Sequence, residues 1–80
     1  MTREDANHFA NLAEDIDGAQ MTLDAGDGTT AKQMVDEACS RFKERMPSAS
    51  VRSDVAIGRI MVTVSTPDAD EVVFVARRFE

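Results

Sequence analysis

The chain has 80 residues, enough for one domain around one small core, because a chain of this length buries only about 60 to 65% of the surface its unfolded form exposes. So small a core leaves little apolar material for the walls of a deep pocket, which favours a binding surface over an active site. Nine basic residues against fifteen acidic ones give a net charge of −6, and that argues against direct binding of nucleic acid, where phosphate neutralisation needs a clustered basic face.

The first element predicted is a helix from about Arg3 to Asp17, with Ala6, Phe9, Ala10, Ala13 and Ile16 recurring at three- and four-residue steps and Leu12 beside them. Thr2 fits as its N-cap, Glu4 and Asp5 suit the positive end of the helix dipole, and Gly18 offers a left-handed stop. The next stretch, QMTLDA, alternates. Met21, Leu23 and Ala25 share one side and Gln20, Thr22 and Asp24 the other, which predicts a short strand with one wet face.

A second helix follows, on the stripe Ala31, Met34, Val35, Ala38, Phe42 and Met46. Thr30 and Gln33 have the spacing of a capping box, Glu37 and Arg41 that of an intrahelical ion pair, and Pro47 ends the helix. From Val51 the pattern is that of strands. Val51, Val55 and Ile57 share one parity and Ile60, Val62 and Val64 the other, so a bulge or tight turn is expected at Gly58. TPDAD then joins a strand over Ile60 to Ser65 to EVVFVARRF as a hairpin, and the unbroken apolar run Val72 to Val75 predicts a central last strand.

The expected fold is a single α+β domain over residues 1–80. It is a two-layer sandwich of order α-β-α-β-β, with room for a further short strand at Val51 to Val55. Two helices would cover one face of a mainly antiparallel sheet of three to four strands.

The stretch Gly26, Asp27, Gly28, Thr29, Thr30 stands where phosphate loops often sit, before a helix, but no lysine follows its last glycine as a Walker-type loop requires. These five residues resemble the GDGTT nucleotide loop of group I chaperonins. The resemblance implies Asp27 near a metal and Thr29 and Thr30 near phosphate; the remainder of that ATP pocket has no counterpart here. The reading adopted is a turn in which Gly26 and Gly28 take positive φ angles and Thr30 caps the helix, with no cofactor. DIDGAQ from Asp15 lacks the EF-hand ligand pattern, and no metal site is expected.

No catalytic residues are assigned, and the chain is read as a non-enzyme. His8 is the sole histidine and Cys39 the sole cysteine, on different helices and without a third partner. With one cysteine, no internal disulfide forms. MTREDANHF lacks the basic start and apolar run of a secretory signal, so a cytoplasmic location is expected. The longest apolar runs, IMV and VVFVA, fall far short of the roughly 18 to 20 residues of a membrane span.

What remains is the distribution of charge. Residues 1–40 hold two basic and nine acidic side chains, residues 41–80 seven and six. Glu14, Asp15, Asp17, Asp24 and Asp27 succeed one another with no base between them and form the expected partner-binding set, directed at a protein with a basic surface such as a nucleic-acid-binding complex. In size, acidity and lack of catalytic residues the chain resembles the small phage inhibitors of bacterial defence, anti-CRISPR proteins among them, which implies an inhibitor that imitates a phosphate backbone. The alternative is a structural or regulatory module that homodimerises through its sheet, since Val73, Val75 and Phe79 form a second apolar row opposite in parity to Phe74.

Overall fold

A computed structural model describes residues 3–56, 58–67 and 69–75. The elements in chain order are α1 (Arg3–Asp24), α2 (Gly28–Arg45), β1 (Ser50–Ala56), β2 (Arg59–Thr66) and β3 (Ala69–Val75). The α+β class expected from the sequence holds. The α-β-α-β-β order does not, because the two helices come first as an antiparallel pair and the strands follow.

The difference lies in α1, which runs for 22 residues through Gly18 and through the stretch predicted as a strand. Its buried face is Leu12, Ile16, Ala19 and Gln20, with Phe9 and Leu23 packed against the core. Leu12, Ile16, Ala19 and Leu23 keep the three- and four-residue step past Gly18. Continued burial at that step outweighs the roughly 0.5–1 kcal/mol that a mid-helix glycine costs. Met21, read as inward-facing from the alternation, is instead 63% exposed. Ala6 and Ala10 are likewise exposed.

The helix ends at Gly26, whose φ is +94°. Gly26 N–H donates to Leu23 O at 3.0 Å and Asp27 N–H to Thr22 O at 3.2 Å, the paired bonds of a Schellman stop. Asp27 then serves α2 as its N-cap, its Oδ1 accepting from Thr30 N–H at 3.0 Å. The cap is therefore Asp27 and not Thr30, and Gly28 is the first helical residue with no positive φ. The predicted N-cap of α1, Thr2, lies outside the described residues.

The stripe of α2 behaves as its spacing predicts. Ala31, Val35, Ala38 and Phe42 are buried, with Met34 and Met46 packed at the margin. Phe42 meets Phe9 of α1 edge-on, ring centroids 5.1 Å apart at 60°. Met46 N–H bonds Phe42 O at 2.9 Å before Pro47, and Lys43 Nζ donates to Ala49 O, tying the end of α2 to the entry of β1.

The three strands form an antiparallel sheet in the order β1-β2-β3. Ala56 faces Arg59 across a two-residue turn in which Gly58 has φ +76°. Val55 is thus opposite Ile60 and Val51 opposite Val64, so odd positions of β1 and even positions of β2 share the inward face. That is the parity switch seen in the sequence, produced by a tight turn. Ile60, Val62 and Val64 are fully buried beneath the helices, α1 resting on β2 and α2 on β1. Full burial of each such side chain contributes roughly 1.5–3 kcal/mol. The central strand is β2, not the last strand as the apolar run suggested. β3 lies at the end of the strand order, and its Val73 is 49% exposed.

Candidate functional site

The α1–α2 hairpin sorts the five candidate carboxylates into two groups. Glu14, Asp17 and Asp24 are exposed on α1. With Met21 they occur at i, i+3, i+7 and i+10, a stripe about 15 Å long at a rise of 1.5 Å per residue. Asp24 Oδ1 also accepts from Gln20 Nε2 at 2.8 Å. The other two are bonded to residues of α2. Asp15 Oδ2 is 3.2 Å from Arg41 Nη2 of α2, so Arg41 pairs across the helices rather than with Glu37 along its own. Both side chains are about half exposed, and such a pair contributes about 0–1 kcal/mol. Asp27 is committed to the start of α2. Hydrogen bonds from Thr30, the side chain first and the backbone N–H second, hold its carboxyl below the usual aspartate range.

Between the helices lies a shallow groove of about 250 Å³, lined by Glu14, Asp15, Gly18, Met34, Glu37 and Arg41. It exists where Gly18 has no side chain: a Cβ there would come within 3.7 Å of Met34 Cε. The thioether of Met34 also accepts from Thr22 Oγ1 at 3.4 Å. The groove therefore joins an apolar floor to carboxylates from both helices, a combination suited to a long cationic side chain whose methylene stem needs contact and whose head needs charge. Glu37 and Met34 were not among the sequence candidates. The signal available was the position of Glu37 one turn before Arg41, on the flank that α2 turns toward α1.

The loop from Gly26 to Thr30 is occupied by its own chain. The N–H of Thr30, which an anion at the start of α2 would need, is taken by Asp27, so the residues that resemble a nucleotide loop do the work of two helix caps. Cys39 is partly buried, and that burial, with the charge of Asp36 second, pushes its thiol up, away from the thiolate a nucleophile requires. Among the described residues His8 Nδ1 is buried without a hydrogen-bond partner, and Nε2 lies 3.9 Å from Glu4 Oε1 on the same helix. Among the described residues, no three His, Cys, Asp or Glu side chains converge on a position that could hold a metal, and no helix is long and apolar enough to cross a membrane.

Comparison with protein-family models, with curated proteins and with solved structures returns no match for this chain.

Proposed function

We propose that the chain is a non-enzymatic acidic binding protein of the cytoplasm, and that its α1–α2 face docks on a basic protein surface, that of a nucleic-acid-binding complex, and thereby inhibits it. The observation that carries this reading is the groove at Gly18, in which Glu14, Asp15 and Glu37 surround the half-buried Met34. A lysine or arginine of the partner lays its stem on Met34 and places its cation among the carboxylates. Met21, exposed between Asp17 and Asp24 on the neighbouring ridge, supplies apolar contact that a purely phosphate-like surface lacks. The carboxylates steer encounter and discriminate among partners, and the groove sets the register.

The test is competition. The immobilised chain is offered to nucleic-acid-binding complexes, and the bound fraction is challenged with nucleic acid and with salt. The expected result is release by both, and loss of binding in the combined Glu14→Gln, Asp17→Asn and Glu37→Gln variant. Binding that is indifferent to salt and to these neutralisations rejects the reading.

A second reading, self-association through the sheet, is favoured by a separate observation. On the sheet face turned away from the helices, Met61 is 37% and Val73 49% exposed, and the register places Thr63, next but one to Met61, opposite Val73. A second copy of the chain is a partner that would cover them.

A further inference from the structure

We propose that β1 is the contact strand of a two-fold symmetric dimer, in which β1 of one copy pairs antiparallel with β1 of the second and the two sheets join into one. This shares with the self-association reading above only that two copies of the chain associate: the contact is the β1 edge and not the face that carries Met61 and Val73, and the strand, the register and the residues that fix it are named.

Among the described residues, β1 stands at one end of the strand order and has β2 as its single neighbour in the sheet. Exposed edges are commonly blunted by proline, charged side chains (lysine above all), a bulge or shortness. Of these β1 has only the charges of Arg52 and Asp54. It is seven residues long, contains no Pro, Gly or Lys, and pairs with β2 along its whole length without a break in register. The opposite side of the sheet differs, since the β2–β3 ladder shifts register between Val64 and Thr66. Nor does α2 close the β1 edge. An open groove of about 430 Å³ runs beside it, lined by Gly28, Lys32, Asp36, Ser53, Asp54 and Val55.

The backbone groups available at this edge follow from the ladder. Ile60, opposite Val55, gives its N–H to Gln20 rather than to β1. The Val55–Ile60 pair is therefore not a hydrogen-bonded one, and by alternation Val51, Ser53 and Val55 turn their N–H and C=O groups outward.

The sequence of the strand, SVRSDVA, is complementary to itself about Ser53. A two-fold axis there sets Arg52 opposite Asp54 of the second copy, and Asp54 opposite its Arg52. It sets Val51 opposite Val55 of the second copy in the same way, which extends the inward-facing row, where both valines already pack against the core. Ser53–Ser53 and Val51–Val55 fall on hydrogen-bonded positions, and Arg52–Asp54 on the non-hydrogen-bonded ones, where side chains approach most closely. Arg52 and Asp54 are both exposed. Sliding the strands by two residues in one direction opposes Arg52 to Arg52, and in the other Asp54 to Asp54. The charges thus admit one register and penalise its neighbours, the behaviour of an isologous interface.

Sedimentation equilibrium of the full chain and of three variants tests this. The unmodified chain is expected to dimerise. Arg52→Asp alone and Asp54→Arg alone each convert two attractive cross-strand pairs into repulsive ones and should weaken the dimer on the order of tenfold or more, while the combined R52D/D54R variant, which reverses the pairs without removing them, should restore it. In amide exchange, Val51, Ser53 and Val55 should gain protection as concentration rises. A dimer indifferent to both single changes, or not restored by the double, overturns the β1 register and leaves self-association standing. A strict monomer up to about millimolar concentration overturns both.

Discussion

Ile60 donates its backbone N–H to Oε1 of Gln20 at 3.1 Å, while Nε2 of the same side chain donates to Gly58 O at 3.2 Å. One amide on α1 thus serves two backbone groups on either side of Arg59, as a neighbouring strand would, and fixes the β1–β2 turn against the helix layer. Gln20 is 2% exposed and its bond with Ile60 is buried, so the Ile60 N–H has no water as an alternative, whereas Gly58 O is part-buried. Gln20→Ala strands the buried Ile60 N–H and should cost about 1–3 kcal/mol in urea unfolding, with loss of exchange protection at Ile60. Gln20→Glu keeps the acceptor for Ile60 but turns an oxygen toward Gly58 O, and should also destabilise. An unchanged unfolding midpoint in both variants would refute the role.

Gly18 and Gly26 should respond in opposite directions to alanine. Gly18 is inside α1, and a Cβ there makes an ordinary 3.7 Å contact with Met34 Cε. Gly18→Ala should therefore stabilise the fold by about 0.5–1 kcal/mol. Because the added methyl group narrows the groove, the same variant should bind the proposed basic partner more weakly, which separates docking from folding. Gly26 meets nothing within 4 Å at a Cβ, so its cost is confined to the backbone. At φ +94°, Gly26→Ala should lose roughly 1–2 kcal/mol. Thermal unfolding of the two variants side by side checks the pair.

These two glycines also mark what could be read in the sequence. α2 was legible because its stripe has no competing pattern. In α1, two local signals agreed on the wrong answer, since Gly18 resembles a stop and Gln20 to Ala25 alternate as a strand would. The outcome turned on Leu23 reaching the core one helical step beyond Ala19, and on Gly26 providing the better stop. Similarly, Val72 to Val75 carries the apolar run of a central strand, yet β2 has that place and Val73 is half exposed. The acidic residues of the candidate site were plain in the sequence. The groove was not, because Glu14 meets Met34 and Glu37 only through the packing of one helix on the other.

The acid sensitivity of the helix hairpin should depend on Asp27. Its folded carboxyl is held below the ordinary aspartate value by the hydrogen bonds from Thr30. A depressed folded pKa adds stability that is fully present above the unfolded value, near pH 4, and is lost as pH falls through the folded value. Asp27→Asn keeps an oxygen for the Thr30 N–H but cannot titrate. Relative to this variant, the unmodified chain should be more stable at neutral pH, and the difference should vanish on acidification. Urea midpoints measured from about pH 6 down to about pH 2.5 read this directly, and parallel profiles would show that the Thr30 bonds carry no charge-dependent stabilisation.

The thiol of Cys39 should be slow to react. Burial, and secondly the charge of Asp36, raise its pKa above the ordinary thiol value, so little thiolate exists at neutral pH. Alkylation with iodoacetamide should lag behind an unstructured cysteine peptide at pH 7.5 and accelerate with a midpoint displaced upward. Asp36→Asn should move that midpoint part of the way down while leaving the larger effect of burial in place. A rate equal to that of the peptide, with an unshifted midpoint, would mean that the α2 flank carrying Cys39 opens to solvent. In that event the helix layer would be looser than the packing of Phe42 against Phe9 requires.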